Sequence, residues 1–154
     1  MKESAGLLIY RFKNGKLQVF LIHPGGPFYK SKDTGVWSIP KGEVDTDEDP
    51  LNAAIRELKE ETGFDAHGPF VKLTPVKQSP YKTVRAWAAE GNHDPAAMQS
   101  NTFPLEWPPG SGQIQNFPEA DRAQWFTIPE AKNKILTGQV PLLDELEKLV
   151  TSDQ

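Results

Sequence analysis

The order of elements along this 154-residue chain predicts an α/β fold and is consistent with a mixed sheet that has helices on both of its faces. Three observations support this. Two runs near the start, 5–12 and 17–23, are rich in β-branched, aliphatic and aromatic residues, and Asn14-Gly15 marks a hairpin turn between them. The stretch 50–62 has helix start and stop signals around apolar residues at helical spacing. Two further helical stretches, 129–136 and 141–150, close the chain and are separated by Thr137-Gly138-Gln139.

The remaining elements follow in order. Pro24-Gly25-Gly26-Pro27 ends the second strand, and 28–34 reads as an exposed loop. Residues 36–39 read as a short strand closed by Pro40, after which Lys41-Gly42 turns the backbone toward an acidic loop, 43–49. In the helix that follows, Asp49 suits the N-cap, Pro50 the first helical position and Gly63 the left-handed stop. Strands are expected near 70–76 and 83–89, with Ser79-Pro80-Tyr81 between them. Arg85 and Trp87 then share a strand face. Residues 94–116 are dense in Pro, Gly, Ser and Asn; a short helical turn is expected at Asp94-Pro95, and Phe103, Leu105 and Trp107 alternate like a strand. Trp125 to Ile128 reads as a last short strand, and 151–154 as a frayed end. Leu142, Leu143, Leu146, Leu149 and Val150 recur at helical spacing and read as a packing face.

The acids near the centre are the most informative feature. Glu57, Glu60 and Glu61 lie about one turn apart on one helix face, while Leu51, Ala54, Ile55 and Leu58 can bury on the opposite side. Like charges at that spacing cost roughly 0.2–0.5 kcal/mol per pair in an isolated helix. A charge run is most often a solvated face. A hard divalent cation would offset the repulsion best, because Mg²⁺ takes oxygen ligands and keeps waters for a phosphate.

The stretch GEVDTDEDPLNAAIRELKEETGF resembles the Nudix box. Gly42, Glu48, Arg56, Glu57, Leu58, Glu60, Glu61, Gly63 and Phe64 occupy its specified positions at the right spacing. The flanks SAGLLIYR, WSIPKGEVD and AQWFTIPEA also resemble the family. The resemblance implies one Nudix hydrolase domain over 1–154, folded as a Nudix-type α/β/α sandwich with a mixed β-sheet. It implies Mg²⁺, with Mn²⁺ as an alternative, held by Glu57, Glu60 and Glu61 and by the backbone carbonyl of Lys41. Glu48 and Arg56 would pair to hold loop and helix together, with Arg56 orienting Glu57. The resemblance also places a further glutamate six residues before a tryptophan. That position is Glu119, before Trp125, as an extra ligand or general base, with Asp121 as the alternative.

The implied activity is cleavage of a phosphoanhydride in a nucleoside diphosphate linked to another group. (Di)nucleoside polyphosphates lead and nucleoside triphosphates follow closely. ADP-ribose and nucleotide sugars stay open, as does a Nudix module that binds nucleotide without cleaving it. The loop 28–34 is then either an ordinary polar loop or a lip over the nucleotide, with Phe28 or Tyr29 on the base and Lys30 near phosphate. The Lys41 side chain, Tyr81 and Arg85 are the other substrate-binding candidates. A tyrosine or proline shortly after the box marks substrate subclass in this family; Pro80 and Tyr81 stand side by side, so the marker does not decide.

Composition bounds the rest. A net charge of −4 argues against a general nucleic-acid binder but not against a small phosphorylated substrate. The chain has no cysteine, which excludes disulfides, cysteine–zinc sites and a cysteine nucleophile, disfavours an isoprenoid-type isomerase, and is compatible with a cytoplasmic protein. No apolar run approaches the ~20 residues of a membrane span, and the start does not read as a signal peptide. A monomer or homodimer is expected. The three histidines show no metal-ligand spacing and read as structural or solvated.

Overall fold

A computed structural model describes residues 2–151, so the end expected to fray lies, apart from Thr151, outside the described residues. The strands are β1 (Lys2–Lys13), β2 (Lys16–Pro24) and β3 (Lys41–Glu43), followed by helix α1 (Pro50–Thr62). Next come β4 (Val71–Lys72), β5 (Val76–Ser79), β6 (Lys82–Glu90), β7 (Thr102–Glu106), β8 (Ile114–Pro118) and β9 (Ala120–Thr127). Helices α2 (Ile128–Lys134) and α3 (Val140–Thr151) close the fold.

The main sheet is mixed. It runs β4-β6-β1-β2-β9, with β3 added to β1 and β5 to β6; β1 and β6 are parallel and the other pairs antiparallel. Period-two alternation assigns the two faces. Leu8, Val19 and Leu21 join Phe126, Ile135, Leu142, Leu143 and Leu146 under α2 and α3. Leu7, Ile9, Phe20 and Ile22 join Ala53, Ala54 and Leu58 of α1. Both faces are covered, which is why β1 and β2 read as near-continuous apolar runs. The expected α/β/α sandwich is the observed one.

The expected caps of α1 are present. The Asp49 side chain accepts from the Asn52 N–H, Pro50 is the first helical residue, and Gly63 ends the helix at φ 80°. Thr127 and Glu130 form a capping box on α2.

The segment 36–39 departs from its expected strand. Ser38 and Trp37 make only isolated bridges, to Ile22 and Ile135, and the regular strand comes later, at β3. The cause is a fork. Strands β1 and β2 pair at Tyr10–Lys13 and then separate, and the segment fills the gap. Ser38 exchanges two backbone hydrogen bonds with Ile22 on one side. On the other, the Leu7 N–H donates to the Pro40 carbonyl and β3 pairs with Ser4–Gly6. The strand expected near 70–76 is likewise split into β4 and β5. Pro75, without an N–H, stands at the break. Strand β9 begins at Ala120, earlier than expected, because β2 offers a partner as far as Pro24. Strand β7 pairs with β8, an element the sequence did not reveal, and Phe103 meets Phe117 across that hairpin.

Candidate functional site

Helix α1 carries two acidic neighbourhoods. In the first, Arg56 is the hub. Its Nε and one terminal nitrogen donate to the two oxygens of Glu48 at 2.8 and 2.9 Å, a bidentate pair. Its other terminal nitrogen donates to Glu57 at 2.9 Å and to Glu60 at 3.2 Å. A further bond, at 3.1 Å, goes to the Glu43 carbonyl. The Arg56 bonds pull the Glu48 carboxyl down to about 2. The loop 43–49 is thereby tied to the helix.

The second neighbourhood surrounds Glu61. Glu57 and Glu61 are each only 8% exposed, and both carboxyls are pushed up from the ordinary carboxylate range. For Glu57, burial and the nearby Glu60 raise the pKa, and Arg56 opposes them. For Glu61, burial, then Glu57 and Glu119, raise it to about 9, opposed by the Lys41 ammonium and by the Lys41 backbone N–H that donates to it. Among the described residues, Glu61 has no arginine or lysine side chain bonded to it. Burial also presses the Lys41 ammonium down.

Gly42 makes this closeness possible. A Cβ there would lie 2.1 Å from Cδ of Glu57 and 2.2 Å from one of its oxygens. Glycine lets the backbone of the fork segment lie directly against the buried carboxylate.

Glu61, Glu119 and Lys41 line a cavity of about 300 Å³. Its other walls are Ile22, Pro24, Tyr29, Val36, Ser38, Ile39, Gln78 and Leu136. A larger depression, about 1060 Å³, lies by Arg11 and Trp125 and contains none of the box carboxylates.

Of the expected substrate-binding residues, Tyr29 and Lys41 reach the cavity, and four do not line it. Phe28 is 57% exposed and packs edge-on against Trp107, with centroids 5.4 Å apart. Lys30 lines a separate depression with Asp33 and Arg122. Tyr81 is 79% exposed in the turn between β5 and β6. Arg85 donates to Glu3 at 3.0 Å, on the α1 side of the sheet. Asp121, the alternative to Glu119, is engaged elsewhere. It sits 2.8 Å from Nδ1 of buried His23, whose Nε2 lies 2.6 Å from the Lys32 carbonyl. That pair fastens the 25–34 loop to the sheet. Ser38, Gln78 and Leu136 had no signal in the sequence. They meet only because the fork segment, β5 and the α2–α3 connection converge.

The donor set fits a hard divalent cation: clustered carboxylates, partly buried and mutually repelling, with a backbone cradle beside them. Among the described residues no three acidic or histidine side chains already form a closed cage. Mg²⁺ binds through few direct ligands and retained waters, so it does not require one.

Comparison with known proteins identifies the family of the chain. A family model described as the NUDIX domain matches residues 2–146. A stretch of 118 residues is 59% identical to Nudix hydrolase 10 of Arabidopsis thaliana, covering 75% of this chain and 37% of that protein. Another, of 62 residues, is 42% identical to the asymmetrical bis(5'-nucleosyl)-tetraphosphatase of Caenorhabditis elegans, covering 40% of this chain and 41% of that one. These matches span under half the length of either relative. Among solved structures, a binary complex of the C. elegans Ap4A hydrolase superposes with a TM-score of 0.66 at 25% identity, over 99% of both chains.

Proposed function

The chain belongs to the Nudix family, and on that premise we propose that it is a Mg²⁺-dependent pyrophosphohydrolase acting on nucleoside diphosphates linked to another group. Within that class, (di)nucleoside polyphosphates lead and nucleoside triphosphates follow. The likeness to a dinucleoside-polyphosphate hydrolase of C. elegans, in sequence and in fold, supports this order.

The observation that carries the reading is Glu61. It is a buried carboxyl beside Glu57 and Glu119, on the wall of a cavity that Lys41 also lines. Nothing in the fold's stability calls for such a group, whereas a cation and a phosphate would use all four residues.

Glu57, Glu60, Glu61 and the Lys41 carbonyl would hold the metal, with Glu119 at its edge. Bound there, Mg²⁺ would neutralise phosphate charge and help bring water to phosphorus. The side chains do the rest. Arg56 keeps Glu57 turned inward. The Lys41 ammonium attracts the phosphate oxygens. Glu119, on the open side, takes the proton of the attacking water as the new P–O bond forms. The anhydride P–O bond breaks, and a nucleoside phosphate leaves. The apolar walls from Ile22, Val36 and Leu136 limit competing water.

The test is incubation with Mg²⁺ and diadenosine polyphosphates, nucleoside triphosphates, ADP-ribose and nucleotide sugars, with products resolved by chromatography. Cleavage of the polyphosphate class is expected, with a loss of about 10²–10⁴-fold in Glu61→Gln and on chelation. Cleavage of ADP-ribose or sugars alone would reassign the substrate. Nucleotide binding with no cleavage would make the protein a non-catalytic Nudix module.

A further inference from the structure

Gln139 lies in the short turn between α2 and α3 and is fully buried, at 0% exposure. Its amide can be oriented without ambiguity. The Ile39 backbone N–H, which can only donate, lies 3.1 Å from one amide atom, so that atom is Oε1. Nε2 therefore faces the other way and donates twice, to Ser38 Oγ at 2.9 Å and to Gln78 at 3.1 Å. The Ser38 hydroxyl spends its own hydrogen on the Ile39 carbonyl, at 2.7 Å, so it accepts from Gln139. The Gln78 atom facing Gln139 must also be an acceptor, its Oε1. Orientation thus passes from one backbone N–H through two amides, and the Gln78 NH₂ is left as the outward end.

Among the described residues that NH₂ makes no hydrogen bond, and Gln78 lines the cavity. It reaches the cavity from the α2–α3 side of the sheet, together with Leu136, whereas Glu61 comes from α1 on the other side. The same cavity is lined by the apolar residues Ile22, Val36 and Ile39 and by Tyr29. A slot with phosphate chemistry at one wall and an oriented donor at the opposite wall suits a flat group with acceptor atoms on its edge.

We propose that Gln78 is a specificity-determining residue, donating a hydrogen bond from Nε2 to an acceptor atom on the substrate's base, and that Gln139 is the positioning residue that fixes this polarity. The inference rests on the nucleotide-binding part of the reading above and not on hydrolysis.

The experiment measures binding of nucleoside monophosphates, which have no phosphoanhydride to cleave, by calorimetry with Mg²⁺. The tightest-binding of AMP, GMP, CMP and UMP is compared with analogues each lacking one acceptor atom of the base, and with ribose 5-phosphate. One analogue should bind about three- to tenfold more weakly than its parent. In Gln78→Met the parent should fall to that level and the difference between the two should vanish, with ribose 5-phosphate binding unchanged. Gln139→Met should reproduce the loss with Gln78 still present. In Gln139→Glu, Gln78 should turn over to donate inward, so its outward end becomes an acceptor and the preference should invert; a merely structural role would not cause this. Where a Gln139 variant fails to fold, the half-buried Gln78→Met decides alone. An unchanged affinity in Gln78→Met, an equal loss with ribose 5-phosphate, or no monophosphate binding at all would overturn the proposal. A protein that binds base-selectively yet cleaves nothing would leave it standing and remove the hydrolase reading.

Discussion

Arg56 and Glu61 sit five residues apart on one helix, and the fold treats the charge around them in opposite ways. Around Arg56 every carboxylate has a partner. Glu48 takes two bonds, and Glu57 and Glu60 share a third nitrogen. Around Glu61 there is burial and like charge, with the nearby Lys41 ammonium and one backbone N–H in return. The first arrangement stabilises a loop–helix junction. The second leaves a carboxyl whose ionisation the metal-free fold opposes. The arginine-bonded acids tie loop to helix, and Glu61 is the buried acid that such a partner does not reach.

The sharpest way to break this contrast is to exchange the effects. Glu61→Gln should abolish most hydrolysis without lowering the thermal midpoint, as followed by turnover and by scanning calorimetry side by side. Arg56→Met should do the reverse in order of severity. It strands Glu57 in a buried position and frees Glu48, and should cost about 3–5 kcal/mol in denaturant titration. A variant as stable as the parent would show that Arg56 is not the hub.

Gly42→Ala probes the point where the two neighbourhoods touch. A Cβ 2.1 Å from the Glu57 carboxyl carbon must displace it, with an expected cost of about 1–3 kcal/mol and a lower affinity for Mg²⁺. Unchanged stability with unchanged metal binding would mean that the fork segment yields easily.

A separate effect is on pH dependence. The folded-state pKa of Glu61 is raised from 4.5 to about 9, so the metal-free fold favours its protonated form. That contribution is complete below 4.5 and is lost as pH rises toward 9. In chelator, stability should therefore decline across this window, and Glu61→Gln should flatten the decline. Glu48 has the opposite sign. Its pKa is lowered to about 2, so its contribution is full above 4.5 and fades as pH falls toward 2. Chemical denaturation at a series of pH values separates the two.

Much of this molecule was legible in the chain. The caps of α1, the spacing of Glu57, Glu60 and Glu61 and the Asn14-Gly15 hairpin all depend on neighbours within a few turns, and local spacing carries such information; the Glu48–Arg56 pairing came from the family resemblance. The apolar runs of β1 and β2 were legible as strands, and a sheet buried on both faces is what makes such runs near-continuous. Tertiary structure alone decided the rest. The fork between β1 and β2 moved the expected strand from 36–39 to β3, since which edge is free to pair depends on how distant strands diverge. The same fork brought Ser38 to Gln139 and Gln139 to Gln78, residues 101 and 61 positions apart. Tyr81 and Arg85 stay outside the cavity that Tyr29 lines. Hydrogen-bond partners at such separations leave no periodic trace, because a lone glutamine reads the same in a turn whether it faces solvent or orients a binding site.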